Sequence, residues 1–371
     1  MAIICWGQLA KSADDTTRIE QAIQDYIEEH DMDPNAHMGE DYALGVHRLQ
    51  VVLDHSPYSI FNTHTYPQAR AYKAIVDPSG NGDVSTIQAA IDYVHGLGGG
   101  VILIKNGLYL LSDNLTLYQN IELIGEDKSD TIISFNSLSK GIPMSDLRDV
   151  KIQNLTIRSS NTNAISFYDC NNCIVDNVYF QSCYTAINME GSCYGMVISN
   201  IDSYIGIGEQ LIVNLASDFT GFNTFSNIRV SYCEVTGVSV NGGNNSTFEN
   251  ILVYNAGDYG FFISGPDIDN TSFINCRALN CTSHGFGVDQ CDNVTFLNCK
   301  SDGNDSSGFY IDTVGNCIFT ACHSLNNSAY GFRLTANSSK CIVTNNISLS
   351  NSSGNLSNLG SNNVVDNNIT S

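Results

Sequence analysis

The sequence predicts an all-β chain folded as a parallel β-helix, a single solenoid with coils of about 23 residues behind a small α-helical N-terminal segment. Two repeating patterns carry this prediction. An apolar residue, any residue and Asn recur from residue 150 onward, with spacings of 23, 23, 27, 23, 25, 23, 23, 24 and 22. A Gly followed by an apolar residue recurs with spacings of 23, 25, 23 and 23. Insertions in one pattern reappear in the other, so both mark one structural repeat.

Alternation within each period indicates short strands. In the segment Gly308 to Asp312, Phe309 and Ile311 fall on one face and Tyr310 and Asp312 on the other. Helical repeats would show a 3.6-residue period, and leucine-rich repeats a leucine pattern that is missing here. Each period is therefore predicted to be one coil whose strands pair with their copies about 4.8 Å above.

The recurring Asn and many of the 13 cysteines have a place in such coils. Asn tolerates the unusual backbone angle of a tight turn and can bond its equivalent in the next coil. The Asn is replaced once, by Ala321. Several cysteines are predicted to be buried and free, acting as small apolar side chains rather than disulfides. Those expected to stack on consecutive coils are Cys276, Cys299 and Cys322, and also Cys317 and Cys341.

A helix is predicted just before the first coils. Ser85-Thr86-Ile87-Gln88 has the pattern of a capping box, and the next three turns repeat apolar residues on one face. The first coil of a β-helix exposes apolar core and an unpaired sheet edge. We expect this helix to lie across it.

Three strings in this region resemble the N-terminal part of pectate-lyase-like right-handed β-helix proteins. They are Asp77 to Asp92, Gly98-Gly99-Gly100 and Lys105 to Tyr109. The resemblance covers roughly residues 74–371 and implies a right-handed coil. The superfamily includes pectate lyases, polygalacturonases, pectin methylesterases, polysaccharide epimerases and phage tailspikes. No catalytic motif of these enzymes is reproduced here, so no catalytic set carries over.

The first 72 residues do not follow the repeat and are predicted to form a separate helical module, followed by the β-helix over 73–371. Residues 73–130 form its cap and first coils. Helices are expected over Ser12 to His30 and Tyr42 to His55. The string Glu29 to Glu40, followed by Gly45 to Arg48 and Asp54-His55, resembles N-terminal modules of phage tail-fibre and receptor-binding proteins. This resemblance implies virion attachment or trimerisation.

Histidines are concentrated in this module. His37, His47 and His55 could bind a divalent metal, or could serve in helix capping and interhelix hydrogen bonds. No cofactor is otherwise required by the sequence.

Charge and composition limit the partners. The chain has 16 Lys+Arg against 38 Asp+Glu, a net charge of −22, which argues against nucleic acid. No stretch reaches the ~18 apolar residues of a membrane span. The N-terminus lacks the features of a secretory signal, so assembly in the host cytoplasm is expected.

Outward positions on the Gly-apolar strands bring acids together. Asp289 and Asp312 are predicted on adjacent coils, with the loop residues Asp267 and Asp269 close by. Carboxylates near 5 Å apart suit a retaining glycosidase, whereas inversion needs roughly 6.5–9.5 Å. The alternatives are a cation-binding or sugar-binding cluster and ordinary solvated surface. The neighbouring residues predicted to contact a sugar are Tyr310, Arg333, His284, Tyr259 and Tyr330.

A second outward column is basic. It contains Arg229, Leu252, Arg277, Lys300 and His323. This stripe could meet an anionic polysaccharide, neutralise nearby acids such as Glu249 and Asp302, or contact another subunit.

The sequence therefore favours a phage tail spike or tail fibre, a homotrimer located in the virion tail. It would attach to tail or baseplate proteins and bind, with or without cleavage, a host surface polysaccharide. The alternative is a free polysaccharide lyase, glycoside hydrolase or epimerase. Whether the protein is an enzyme is left open by the sequence.

Overall fold

The computed structural model describes residues 72–135, 141–159, 162–215, 221–266 and 268–370. Over these ranges the chain is a right-handed parallel β-solenoid of about 11 turns, which confirms the predicted fold class. The predicted N-terminal helices and the histidines His37, His47 and His55 lie outside the described residues. In the part of the chain described, no helix is long and apolar enough to cross a membrane.

Each coil contributes strands to three parallel faces, which we call sheets 1, 2 and 3. Sheet 1 has ten strands, each paired with its equivalent in the next coil. Its strands are β6 (Ile142–Ser145), β8 (Asn163–Tyr168), β10 (Thr185–Gly191), β12 (Leu211–Leu215), β14 (Val238–Val240), β17 (Phe261–Ser264), β20 (Phe286–Asp289), β23 (Phe309–Asp312), β26 (Tyr330–Leu334) and β29 (Gly354–Asn358).

Sheets 2 and 3 meet at a shallow corner and share four long strands. The shared strands are β7 (Lys151–Ser159), β9 (Ile174–Gln181), β11 (Val197–Gly206) and β13 (Thr224–Cys233). Sheet 2 also has β1 (Ala74–Val76), β2 (Gly100–Ile104), β4 (Ile121–Gly125), β15 (Thr247–Glu249), β18 (Ser272–Ile274), β21 (Thr295–Leu297), β24 (Ile318–Thr320), β27 (Ile342–Thr344) and β30 (Val364–Asp366). Sheet 3 also has β3 (Gly107–Leu111), β5 (Thr131–Phe135), β16 (Leu252–Tyr254), β19 (Arg277–Leu279), β22 (Lys300–Asp302), β25 (His323–Leu325) and β28 (Ile347–Leu349).

The predicted Asn column forms the corner between sheets 2 and 3. From Asn154 to Asn367 its residues have φ of 52° to 58°, the left-handed region that Asn tolerates. Side-chain amides join successive coils: Asn275 donates to Asn250 at 3.2 Å, and Asn298 donates to Asn275 at 2.7 Å. Both predicted roles of the column are confirmed. Ala321 adopts the same backbone angle, with φ of 55°, but has no amide to continue the ladder.

A second asparagine ladder lies inside the solenoid, between sheets 3 and 1, and was not anticipated from the sequence. Asn304, Asn327 and Asn351 are buried at the same position of consecutive coils. The Asn304 amide donates to the Asn327 carbonyl oxygen at 2.9 Å, and the Asn327 amide donates to Asn351 at 2.8 Å. Because each amide is both donor and acceptor, the ladder satisfies buried polar groups along its length.

The core is built from stacked aromatic rings. On sheet 1, Phe261, Phe286, Phe309 and Phe332 stack with centroids 4.6 Å, 4.8 Å and 4.6 Å apart. A second stack on sheet 2 consists of Phe225, Phe248, Phe273, Phe296 and Phe319. The two stacks meet edge to face in the interior, where aromatic pairs are favourable.

The cysteines pack into the same core. All twelve between Cys170 and Cys341 are buried, and the predicted columns are confirmed: the Cys299 thiol contacts Cys276 and Cys322, and the Cys317 thiol contacts Cys341. Burial raises the pKa of Cys193 to about 12. A hydrogen bond from Cys173 lowers the pKa of the Cys170 thiol to about 7, although that thiol is also enclosed.

These twelve thiols are expected to resist Ellman's reagent in the native protein and to react on unfolding, because thiol chemistry needs an accessible thiolate. Thiol titration with and without denaturant measures this. Fast native reaction of several of the twelve would contradict the packing.

The predicted helix lies against the first strands of the solenoid, but one of its predicted side-chain hydrogen bonds has a different partner. Helix α1 (Ile87–Gly96) buries Ile87, Ala90, Ile91 and Val94 against β1, β2 and β4. Thr86 is the N-cap and its hydroxyl accepts from the Ala89 amide at 3.2 Å. The Gln88 side chain does not complete the predicted capping box. It donates to the Thr116 carbonyl at 3.1 Å and accepts from the Thr116 amide at 2.9 Å, which ties the helix to the first coils.

Candidate functional site

The candidate site lies on the outward face of sheet 1. Along β20 and β23 the apolar side chains point inward and the alternate residues point outward, because strand residues alternate between faces. The register aligns Ser264 with Asp289 and Asp289 with Asp312. It also aligns Gly287, Tyr310 and Arg333 on consecutive coils. The predicted placement of Asp289 and Asp312 on adjacent coils is therefore confirmed.

Asp312 is held as a carboxylate by hydrogen bonds. Its Oδ1 accepts from the Thr335 hydroxyl and from the Asn337 amide, the latter at 3.1 Å. Its Oδ2 accepts from the Tyr310 hydroxyl at 3.4 Å. The bond from Thr335 is the largest cause that lowers the pKa of Asp312, since donors favour the charged form. Asp312 is therefore ionised at neutral pH.

Asp289 is less well satisfied than its neighbour. Its Oδ2 accepts from the Gln290 amide at 3.3 Å. Its Oδ1 is buried, and in the described chain no donor reaches it. A buried acceptor without a partner costs about 1–3 kcal/mol, so Asp289 is held less favourably than Asp312.

Aromatic rings and one guanidinium line the face beside the acids. His284 stacks on Tyr310 with centroids 4.5 Å apart, and Tyr259 lies 5.5 Å from His284. Arg333 lies over the rings of Tyr310 and Tyr330, at 5.6 Å and 5.7 Å. These distances are within the range of cation–π contact. The five residues predicted to contact a sugar therefore form one continuous ladder.

Gly287 makes room for that ladder. A Cβ at this position would lie 2.6 Å from Cε1 of Tyr259, so a larger residue would displace the Tyr259 ring. Gly287 is thus part of the site because it leaves room for the Tyr259 ring.

His284 is a neutral imidazole in this environment. Its Nδ1 accepts from the Ser307 backbone N–H at 3.0 Å, so its proton is on Nε2. Burial lowers the pKa of His284 to about 4. The ring therefore offers one N–H donor and an aromatic face, without a charge, at neutral pH.

Acidification is expected to reduce the free energy of unfolding through His284. The unfolded chain takes up this proton near pH 6.5 and the folded chain only near pH 4. The contribution is complete above about pH 6.5 and is lost as the pH falls toward 4, by at most about 1.4 kcal/mol for each pH unit. Urea titrations of the native chain and His284→Gln at several pH values measure this. An identical pH dependence in the two proteins would contradict it.

Glu209 is a further acid on this face. It precedes β12 by two residues, the position that Tyr259 and His284 occupy before β17 and β20. Burial raises the pKa of Glu209, and the Ser239 hydroxyl donates to it. Glu209 was not among the site residues predicted from the sequence. The insertion that contains it was visible in the 27-residue spacing between Asn200 and Asn227.

The predicted cation cluster is not assembled among the described residues. Asp267 lies outside them. Asp269 serves the turn, since its Oδ1 accepts from the Asn293 amide at 2.7 Å. Over the described ranges, no three His, Cys, Asp or Glu side chains are placed to hold a metal ion.

The basic stripe on the outward face of sheet 3 has the predicted register. Arg229, Leu252, Arg277, Lys300 and His323 align coil by coil. Lys300 pairs with Asp302 at 2.8 Å. The stripe therefore neutralises a neighbouring acid at this position, which was one of the predicted alternatives.

Comparison with known families agrees with the fold. A family model described as a right-handed β-helix region matches residues 211–370. No curated protein matches the chain.

Solved structures show the same architecture at low identity. The A-module of the mannuronan C-5 epimerase AlgE6 from Azotobacter vinelandii is 17% identical, with a TM-score of 0.51 and coverage of 72% of each chain. The catalytic domain of a GH87 α-1,3-glucanase variant in complex with tetrasaccharides is 16% identical, with a TM-score of 0.58. That alignment covers 82% of this chain and 66% of the glucanase domain. At these identities the likeness establishes the β-helix fold alone.

Proposed function

We propose that this protein binds a polysaccharide along the outward face of sheet 1. The observation that carries the proposal is the position of Tyr310, between the His284 ring and the Arg333 guanidinium and beside the two aspartates. Aromatic faces with a few convergent polar groups are the usual lining of a ligand site. The solenoid repeats this lining along its axis, which suits an extended chain rather than a compact ligand.

Each part of the face has a binding role. The ring edges and hydroxyl groups of Tyr259, Tyr310 and Tyr330 contact the sugar chain, because His284 and Arg333 cover the faces of Tyr310. Arg333 donates to a sugar carboxylate or hydroxyl, and its fork geometry favours a carboxylate. Asp289 Oδ2, whose one side-chain partner is the Gln290 amide, accepts from a sugar hydroxyl.

Cleavage of the bound chain is the second candidate function. Asp289 and Asp312 lie on paired residues of neighbouring strands, whose backbones are separated by about 4.8 Å. Retaining glycosidases place their two carboxyl groups about 5–5.5 Å apart, one as nucleophile and one as acid. Asp312, kept ionised by Thr335, has the state of a nucleophile. Asp289 would then serve as the acid.

The test incubates the full chain with a panel of bacterial surface polysaccharides and measures both binding and new reducing ends. Asp289→Asn and Asp312→Asn are run beside the native chain. Binding without release supports a binding protein, and release lost in both variants supports a glycosidase. Absence of binding to every polysaccharide would contradict the proposal.

The finer proposal is a tail spike that attaches to the virion and forms trimers. It is supported by the resemblance of Glu29 to Glu40 and Gly45 to Arg48 to tail-fibre modules. Analytical ultracentrifugation of the full chain and of a chain without residues 1–72 tests it. Trimers that require residues 1–72 support a spike. A monomer that degrades a soluble polysaccharide supports the free enzyme instead.

A further inference from the structure

A second groove lies on the outward face of sheet 3. It is formed by coils that precede those of Asp289 and Asp312 in the sequence. We call it the tyrosine groove. It encloses about 390 Å³ and is lined by Tyr179, Tyr204, Tyr232 and Tyr254, with Lys128 and Arg229 beside them. This volume is within the roughly 300–1,000 Å³ of ligand pockets. None of its residues belongs to the face of sheet 1 described above.

The tyrosine rings of this groove form a solvent-exposed aromatic surface. Tyr232 meets Tyr204 and Tyr254 edge to face, with centroids 5.6 Å and 5.5 Å away. Tyr204 is 40% exposed and Tyr232 is 47% exposed. Three neighbouring tyrosines thus present apolar ring surface together with polar hydroxyl groups, a combination enriched where proteins contact ligands.

Of the two cationic side chains that line the groove, one is in an ion pair with a carboxylate and the other can pair with a ligand. Lys128 is paired with Asp202 at 3.2 Å. Arg229 is exposed and donates to the Ser231 hydroxyl at 3.3 Å, and no carboxylate in the described ranges pairs with its guanidinium. Burial raises the pKa of Tyr179, so its hydroxyl is protonated at neutral pH. The groove is therefore suited to a ligand with hydroxyl groups and a negative charge.

The backbone at Tyr232 is set by a turn that recurs from coil to coil. Tyr232 has φ of 59° and lies in a second column of left-handed residues, between sheets 3 and 1. Neighbouring coils place Asn255, Asn280 and Gly303 in this column. Left-handed backbone is unfavourable for a tyrosine, and the same turn imposes it on Ile205 one coil earlier. Here the unusual backbone places the Tyr232 ring between Tyr204 and Tyr254.

We propose that the tyrosine groove is a second carbohydrate site, which binds a short chain of uronic-acid residues. The tyrosine rings contact the sugar rings, and Arg229 pairs with a sugar carboxylate. The inference rests on the proposed function for the class of ligand and on the tyrosine groove for the site. Two sites on different faces would let one long polysaccharide bind at more than one place, which raises avidity.

The test is isothermal titration of the full chain with hexagalacturonate, beside maltohexaose as the uncharged probe. The variant is Tyr232→Asn, which removes the ring and supplies the residue that Asn255 provides one coil later. The matched control is Ile205→Asn, since Ile205 shares the column with φ of 54° but does not line the groove. Melting temperatures are measured for all three proteins.

We expect Tyr232→Asn to weaken hexagalacturonate binding at least tenfold while its melting temperature stays equal or rises. Ile205→Asn should raise the melting temperature and leave binding unchanged. Arg229→Gln should weaken hexagalacturonate binding, and maltohexaose should bind the native chain more weakly than hexagalacturonate.

Several results would overturn the inference. They are absence of hexagalacturonate binding, equal affinity for maltohexaose, or unchanged affinity in Tyr232→Asn. A lower melting temperature in Tyr232→Asn with unchanged affinity would assign the ring a structural role. Tyr310→Ala separates the two sites. Binding lost only in Tyr310→Ala would overturn the second site in the tyrosine groove and support the site on sheet 1. Binding lost only in Tyr232→Asn would support the tyrosine groove and contradict hexagalacturonate binding on sheet 1.

Discussion

Phe309→Ala is expected to lower the free energy of unfolding by about 3–5 kcal/mol. Phe309 is fully buried in the middle of the sheet 1 stack, between Phe286 and Phe332. It also meets Phe319 edge to face, with centroids 6.0 Å apart. Truncation removes ring contacts on both sides and leaves a cavity that neighbouring coils, fixed by their own strand pairing, cannot fill.

Urea unfolding followed by circular dichroism measures this change. The control is Leu297→Ala on sheet 2, whose side chain is 41% exposed, and which should cost within about 1 kcal/mol. A loss below about 1 kcal/mol for Phe309→Ala would show that the rings do not stack as described.

Asn327→Ala is expected to cost about 3 kcal/mol, an unusually large loss for one polar side chain. Its carbonyl oxygen accepts from both the backbone and the side-chain N–H groups of Asn304, at 3.1 Å and 2.9 Å. Its amide donates to Ser324 and Asn351. Because these partners are buried, each donor left without an acceptor costs about 1–3 kcal/mol.

The control for this prediction is Asn275→Gly in the exposed ladder at the corner of sheets 2 and 3. Glycine keeps the left-handed backbone available, and solvent replaces the lost hydrogen bonds, so the expected cost is about 1 kcal/mol. Equal losses for the two variants would contradict the distinction between a buried and an exposed ladder.

The fold was predictable because two patterns with one period fix the coil alignment. Once Phe309 and Phe286 are placed inside, the two-residue alternation places Tyr310 and Asp312 outside. The register of Asp289 with Asp312 follows from the same argument, and the structure reproduces it.

The state of each site residue was not predictable in the same way. Thr335 and Asn337 bond to Asp312 from the next coil, and that contact depends on side-chain orientation. The tautomer of His284 depends on a backbone N–H of Ser307. Glu209 lies in an insertion, where the repeat no longer gives the register.

The tyrosine groove was missed for a related reason. Arg229 was predicted as part of a basic column, but the alignment of Tyr204 and Tyr254 beside it became clear only from the strand register. Tyr232 lies at a turn position where the repeat predicts Asn or Gly, and only the backbone angle shows that it keeps that conformation. Likewise, Gln88 fits a capping box by spacing, yet the Thr116 backbone provides it with two partners.

The most direct test of the central proposal is the dissociation constant of the polysaccharide that binds best in the panel. It is measured for the native chain, Tyr310→Ala, Arg333→Ala and Tyr168→Ala. Tyr168 is the control because it is 52% exposed on the same face of sheet 1, several coils away. We expect Tyr310→Ala and Arg333→Ala each to weaken binding roughly tenfold, equivalent to about 1.4 kcal/mol, and Tyr168→Ala to bind as the native chain does. Native affinity in folded Tyr310→Ala and Arg333→Ala would contradict the proposed site on sheet 1.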